Sequence, residues 1–350
     1  MKKNLSYLFV IVIGLAFIVG PSNTALAGDF YKGKTIRFVV GYSPGGGYDT
    51  YTRFVARHIG KYIPGSPTPI VQNMTGAGSL IAANYLNNRA RPDGLTVGVW
   101  NSAHVLSKAL GDRSIRFDPK KTKWIGTPSV GLPTCSMMAF TGLTTLKDVM
   151  KSGKRIKMGA TRGGTLNAVP KILNKTLGTK FDVISGYRGT ATIRVALQKR
   201  ELDGACWGWE SQRVTARSML DAKGDDKFIP ILTHGSSQDP ELQGLPRLTE
   251  VIKGKENLAL VNTWLQQYNF QRPFSLPPGT PQERVNILRK AFKAAVEDPE
   301  LLAEAKKSKL LIDYVSGKQV VKYVDQILAI TPQAKEGLQF LVVQKKKKKS

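Results

Sequence analysis

The sequence predicts an α/β protein of two domains with largely parallel sheets. Short apolar runs alternate with helical periods along the chain, the pattern of strand–helix–strand units. Glycine-rich turns follow several of the strands and open helices. The length, 350 residues with 41% hydrophobic, suits two buried cores and rules out a disordered or collagen-like chain.

The elements follow in order. Ile36, Phe38, Val39 and Val40 mark a first strand, which Gly41 and the turn 42–47 break. Tyr51, Phe54, Val55, Ile59 and Tyr62 then recur on one face of a helix. A strand at 69–73 runs into the turn 76–79, which leads into a helix through Leu86. The Pro92, Asp93, Gly94 turn precedes a strand at 95–100, and a fourth strand is expected at 123–126. The pattern then repeats. Strands are expected at 136–140, 157–160, 183–185, 203–207 and 228–232, with helices after the turns 161–165 and 188–190. Near the C-terminus Thr280 reads as an N-cap, with Pro281 at the first helical position and Glu283 completing a capping box. Helices are expected at 285–296 and 318–330, packing back on the first domain. No repeat of solenoid length stands out.

Lys2 and Lys3, the apolar stretch 5–19 and the Ala25, Leu26, Ala27 pattern read as an export signal cut after Ala27. The apolar run is short for a membrane anchor, and no later stretch could span a bilayer. The mature chain is expected in a periplasm-like compartment. The formal charge is +27, from Lys+Arg 52 and Asp+Glu 25. Cleavage leaves +25, and without the lysine run 345–349 it is still +20. The run itself reads as a solvated tail (345–350). Export, and the lack of any helix-turn-helix, RNP or zinc-finger pattern, set nucleic acid aside in favour of small anions.

Two cysteines and three histidines (His58, His104, His234) leave little for metal or cofactor chemistry, and none is expected. For Cys135 and Cys206, two buried free thiols are the favoured reading and a disulfide the other. No nucleophile elbow, metalloprotease motif or redox pair is present, so Ser43 resembles no activated nucleophile, and His104 reads as structural or ligand-contacting.

The chemistry lies in four turns, at 42–49, 76–79, 161–165 and 188–190. Each joins a strand to a helix N-terminus, where free N–H groups attract anions. Glycine lets a ligand approach the backbone. Neither a dinucleotide fingerprint nor a P-loop is formed. Asp49 is expected to cap the first helix turn. Trp207 and Trp209 share one face of a strand end, as core or as pocket wall.

The stretch 34–49 resembles the opening of the tripartite tricarboxylate transporter substrate-binding proteins, the Bug-type receptors. Gln72 to Gly78, Pro92 to Thr96 and Gly279 to Pro281 follow in that family's order. Gly186 to Ala191 and 239–250 are similar to two of its later segments. The resemblance runs over about 30–341. It implies a type II periplasmic-binding-protein fold: lobe 1 from 28–130 and 265–344, lobe 2 from 131–264, with crossings near 128–134 and 263–269. It implies a non-enzymatic receptor, monomeric, that holds a small organic carboxylate between its lobes and delivers it to a membrane permease. An exported sensor and, less well, a hydrolase are the alternatives. Carried over by position, the ligand-binding residues are Tyr42, Ser43, Gly45, Gly46, Gly47 and Asp49 on one side, with Ala77, Gly78, Asn101 and Ser102. Thr161, Gly163, Gly164, Thr165 and Asn167 face them. The chain departs from the family pattern at Arg162, which could pair with a second carboxylate. It departs again at Trp207, with Glu210 nearby, where an aspartate would serve amino-acid ligands.

Overall fold

The computed structural model describes residues 30–234 and 239–342. The export signal with its cut after Ala27 and the lysine run lie outside the described residues. Among the described residues no helix is long and apolar enough to cross a membrane.

The first half of the chain gives β1 (Thr35–Val40), α1 (Gly47–Ile59), β2 (Thr68–Asn73) and α2 (Leu80–Asn88), then β3 (Thr96–Val99), α3 (Ala103–Ala109) and β4 (Lys123–Thr127). Next come β5 (Pro133–Met138), α4 (Leu146–Lys151), β6 (Ile156–Ala160), α5 (Thr165–Leu177), β7 (Phe181–Ser185) and α6 (Thr190–Gln198). They lead to β8 (Gly204–Gly208), α7 (Trp209–Thr215), α8 (Arg217–Leu220) and β9 (Phe228–Thr233). The chain returns through α9 (Leu248–Val251) and α10 (Lys255–Leu265) to β10 (Phe274–Leu276). It ends in α11 (Gln282–Val296), α12 (Pro299–Lys307), β11 (Val315–Ser316), α13 (Gly317–Leu328) and α14 (Pro332–Leu338).

Two sheets form, one per lobe. The first has the order β11-β4-β10-β3-β1-β2 and the second β7-β6-β8-β5-β9. Each holds a parallel trio, β2-β1-β3 and β7-β6-β8, whose strands, β3 excepted, lead into glycine-containing turns. The sheets are nevertheless mixed and not largely parallel. β10 runs antiparallel to β3 and β4, and β5 runs antiparallel to β8 and β9. The reason is connectivity: β10 enters the first sheet from the other lobe, against the direction of its neighbours. The stretches 128–132 and 266–273 carry the chain between the sheets.

β1 lies between two parallel neighbours and buries Ile36, Phe38, Val39 and Val40. α1 turns Tyr51, Phe54, Val55 and Ile59 inward, at the predicted period, while Tyr62 is only half-buried. α11 packs on α1 and β4, and α13 on β4 and α3, so the C-terminal helices do return to the first lobe. His58 on α1 meets Glu304 on α12 at 2.9 Å, and Lys61 pairs with Asp298 at 2.6 Å, tying these helices together. The expected cap of α11 is not formed. Pro281 is its N-cap, and the Thr280 hydroxyl donates instead to Pro277 O at 2.8 Å. Cys135 and Cys206 form a disulfide, against the favoured thiol reading. They are directly opposed on β5 and β8 with Cα atoms 4.0 Å apart, the close spacing of a non-hydrogen-bonded antiparallel pair.

Candidate functional site

The two lobes meet along a seam of glycine turns. Ser43 N–H donates to Arg188 O at 3.4 Å, and Arg194 Nη2 donates to Gly45 O at 3.1 Å. Asn101 Nδ2 donates to Tyr42 Oη at 2.8 Å and to Thr165 Oγ1 at 3.3 Å. Tyr42 Oη donates in turn to Gly78 O at 3.2 Å. A side chain on Gly78 would place its Cβ 2.9 Å from Arg162 O and Gly163 O, so only glycine lets these turns touch. Gly163 and Gly164 adopt consecutive φ values of 78° and 77°, a path closed to other residues without strain.

Within the seam lies an enclosed cavity of about 20 Å³, room for about one water. Tyr42, Gly46, Gly47, Tyr48, Thr165, Leu166, Thr190, Trp207, Gly208, Ser211, Gln271 and Arg272 line it. Four helices begin at this cavity: α1, α5, α6 and α7, with N-caps Gly46, Gly164, Gly189 and Gly208. None of the four caps is satisfied by a side chain, but at α7 the first N–H, that of Trp209, donates to Leu132 O at 2.7 Å; the open first-turn N–H groups and partial positive ends that converge are those of α1, α5 and α6. Tyr48 Oη, Thr190 Oγ1 and Trp207 Nε1 border the same space, buried without a hydrogen-bond partner. Burial pushes the Tyr48 phenol well above its ordinary pKa and the Tyr42 phenol up to about 12, so both stay protonated donors at neutral pH.

The lining holds no carboxylate. Arg272 is its one cation and is already engaged: Nη2 donates to Glu210 Oε1 at 2.7 Å, and both side chains are buried. Glu210 Oε2 also accepts Leu132 N–H at 3.0 Å. The guanidinium lies 5.2 Å and 4.7 Å from the ring centroids of Tyr48 and Tyr51. The pair therefore forms a neutral floor beneath the first glycine turn, and Glu210 lies under the cavity rather than in its lining. Trp207 does line it, with its ring stacked on Phe228 at 5.2 Å.

Asp49 works on its own loop. It accepts Gly45 N–H at 2.9 Å, Asn73 Nδ2–H at 2.9 Å and a 2.9 Å ion pair from Arg53. Burial pushes its carboxyl up, but the hydrogen bonds from Arg53, Gly45 and Asn73 outweigh this and hold it below its ordinary value. Ser43 Oγ is buried against Gly189 without a hydrogen-bond partner, so no base activates it. His104 is engaged elsewhere, with Gly78 O at 2.9 Å and Ser79 Oγ at 3.2 Å.

The remaining sequence candidates separate from this cavity. Ala77, Arg162, Gly163, Gly164 and Asn167 line a second, open cavity of about 530 Å³ that shares no lining residue with the first. Ser102 donates to Gln267 O at 2.7 Å, in the second crossing between lobes, and Thr161 Oγ1 donates to Gly163 O at 2.8 Å. Sequence reasoning placed Tyr48 and Thr190 only within the turns 42–49 and 188–190 and did not name Leu166, Ser211, Gln271 or Arg272 as site residues. The glycines before Thr190 and Trp209 were the available signal, since an uncapped glycine N-terminus marks each wall.

No protein-family model and no curated protein matches the chain. Solved structures do. The structure of periplasmic binding protein BugD is 20% identical and superposes with a TM-score of 0.70, covering 90% of this chain and 100% of that one. The chain has the fold of the two-lobed periplasmic binding proteins. Similar to it also are MatC from Rhodopseudomonas palustris with bound malate (18% identity, TM-score 0.65, 89% and 99% covered) and R. palustris Rpa4515 with adipate (16%, 0.70, 88% and 97%).

Proposed function

We propose that the chain is an exported solute receptor of the Bug type. It captures a small organic carboxylate between its lobes and hands it to the membrane permease of a tripartite tricarboxylate-type transporter. The observation that carries this reading is the enclosed cavity, where the open N-termini of α1, α5 and α6 and three unpartnered donors converge with no acid in the wall. Such a site suits an acceptor-only, negatively charged group. With Trp207 at the end of β8 and no carboxylate in the lining, it offers an ammonium group no opposite charge, which favours a carboxylate without an amino group. The malate in MatC and the adipate with Rpa4515 are of that class. The cavity is smaller than such a ligand, so entry requires the lobes to part and break the Ser43–Arg188, Arg194–Gly45 and Asn101–Thr165 contacts. Closure on the ligand then brings the two walls back around it, wider than in the empty arrangement, a shift between two arrangements of the lobes.

A thermal-shift screen of mono-, di- and tricarboxylates on the mature chain tests the reading. A ligand at 100 times its Kd stabilises the folded state by about 2.7 kcal/mol. At least one member of the panel is expected to raise the melting temperature. A panel that leaves it unmoved throughout, alongside amino acids that raise it, overturns the proposal.

A further inference from the structure

We propose that the open cavity between α3 and α5 is a second binding compartment, one that takes an amphipathic monocarboxylate of medium chain length. Its volume, about 530 Å³, falls in the range that holds small organic ligands, whereas the enclosed cavity does not. Its walls come from both lobes. Leu80, Leu106 and Leu110 face Val183 across it, and Trp264 and Leu341 extend the apolar surface. That surface fits an alkyl or aryl body.

The polar end is equally defined. Asn167, Ala168 and Lys171 line the cavity from one face of α5, as positions one turn apart must. Arg162 lines it from the turn before that helix. Among the described residues neither Lys171 nor Arg162 enters an ion pair. Burial lowers the Lys171 pKa, and no carboxylate offsets it, so a bound carboxylate would relieve that penalty. Two other ionisable groups face the cavity. Asp112 Oδ1 already accepts Ser114 N–H at 2.9 Å and Ser114 Oγ–H at 2.6 Å. Burial pushes His104 down to about 4, so its imidazole is neutral near pH 7. Two cations against one committed acid leave the compartment positive.

Among the described residues none lines both cavities, so the two are distinct sites. An occupant of the open one touches both lobes and favours the closed arrangement. It therefore raises affinity in the enclosed one, and the reverse.

Titration calorimetry with octanoate on the full mature chain tests this. One saturable site is expected, weakened at least tenfold by Lys171→Glu and by Lys171→Met, which keeps the aliphatic stem. Thr190→Val, which removes a donor of the enclosed cavity alone, is expected to change octanoate binding less than twofold. Unchanged melting temperatures of the Lys171 variants confirm that they fold. The proposal is overturned if octanoate does not saturate, or if Thr190→Val weakens it as much as the Lys171 variants do. Either result leaves the receptor reading standing, because that reading rests on small carboxylates in the other cavity.

Discussion

The glycine turn after β1 and the one after β6 face each other across the seam, yet they are held in different ways. The first is braced from behind. Asp49 ties Gly45, Arg53 and Asn73 together, and the buried Arg272–Glu210 pair supports it from below, beside Gly47 and under the rings of Tyr48 and Tyr51. The second is held by its own short bond from Thr161 Oγ1 to Gly163 O and by the contact of Thr165 with Asn101. The difference indicates a division of labour. Under the proposed closure, the first lobe would present a preorganised wall and the second the wall that moves. Preorganisation matters because donors already fixed in place lose less freedom when a ligand arrives.

The contrast can be broken on its stiff side first. Glu210→Ala leaves the Arg272 guanidinium buried without its partner, so the largest loss is expected there, about 4 kcal/mol of folding stability. Denaturant unfolding measures it, and a loss below about 1 kcal/mol would remove the floor from the account. Asp49→Ala strands Gly45 N–H and Asn73 and should lose about 3 kcal/mol. The same residue gives a pH signature. Because the folded carboxyl lies below its ordinary value, its contribution is complete above the unfolded pKa and disappears as pH falls through the folded one. Asp49→Asn should therefore flatten the acid limb of the stability profile.

His104, beneath the Gly78 turn, sharpens the comparison at milder pH. Its folded pKa of about 4 lies below the ordinary 6.5, so the unfolded chain binds the proton first. Stability from this group is full above 6.5 and lost on the way down to about 4, amounting to about 2 kcal/mol at pH 5. A His104→Gln variant whose stability falls between pH 7 and pH 5 as steeply as the parent's would refute that. On the lightly held side, Thr161→Val should cost only about 1 kcal/mol, the smallest effect of the set. A larger loss there than at Asp49 would invert the comparison.

Much of this was legible in the sequence, and the reasons for the gaps are physical. The parallel trios and their turns showed because apolar runs and glycines are local signals. Strand direction in β10 was not local; it depends on where the chain has been before it arrives. β11 and α14 are too short to carry a period, and α12 has only Leu301 and Ala305 fully buried. The disulfide needed the register of β5 against β8, which no spacing encodes. At the site, Gly46, Gly47, Thr165 and Trp207 could be named because they adjoin glycine turns. Arg272 could not, since it lies 62 residues from its partner Glu210 in an extended crossing. Asp49 stood out as an acid beside an expected anion site, and its neighbours show it serving the loop.

The central claim is that the donors of Tyr48, Thr190 and Trp207 and the bare starts of α1, α5 and α6 hold a carboxylate inside the seam. The most direct measurement is the calorimetric Kd of the carboxylate that passes the thermal screen, for the parent chain and for Thr190→Val combined with Trp207→Phe. Two lost hydrogen bonds to a charged group predict a Kd at least a hundredfold weaker, with melting temperature nearly unchanged in the absence of ligand. A Kd within twofold of the parent's would place the ligand elsewhere and contradict the account.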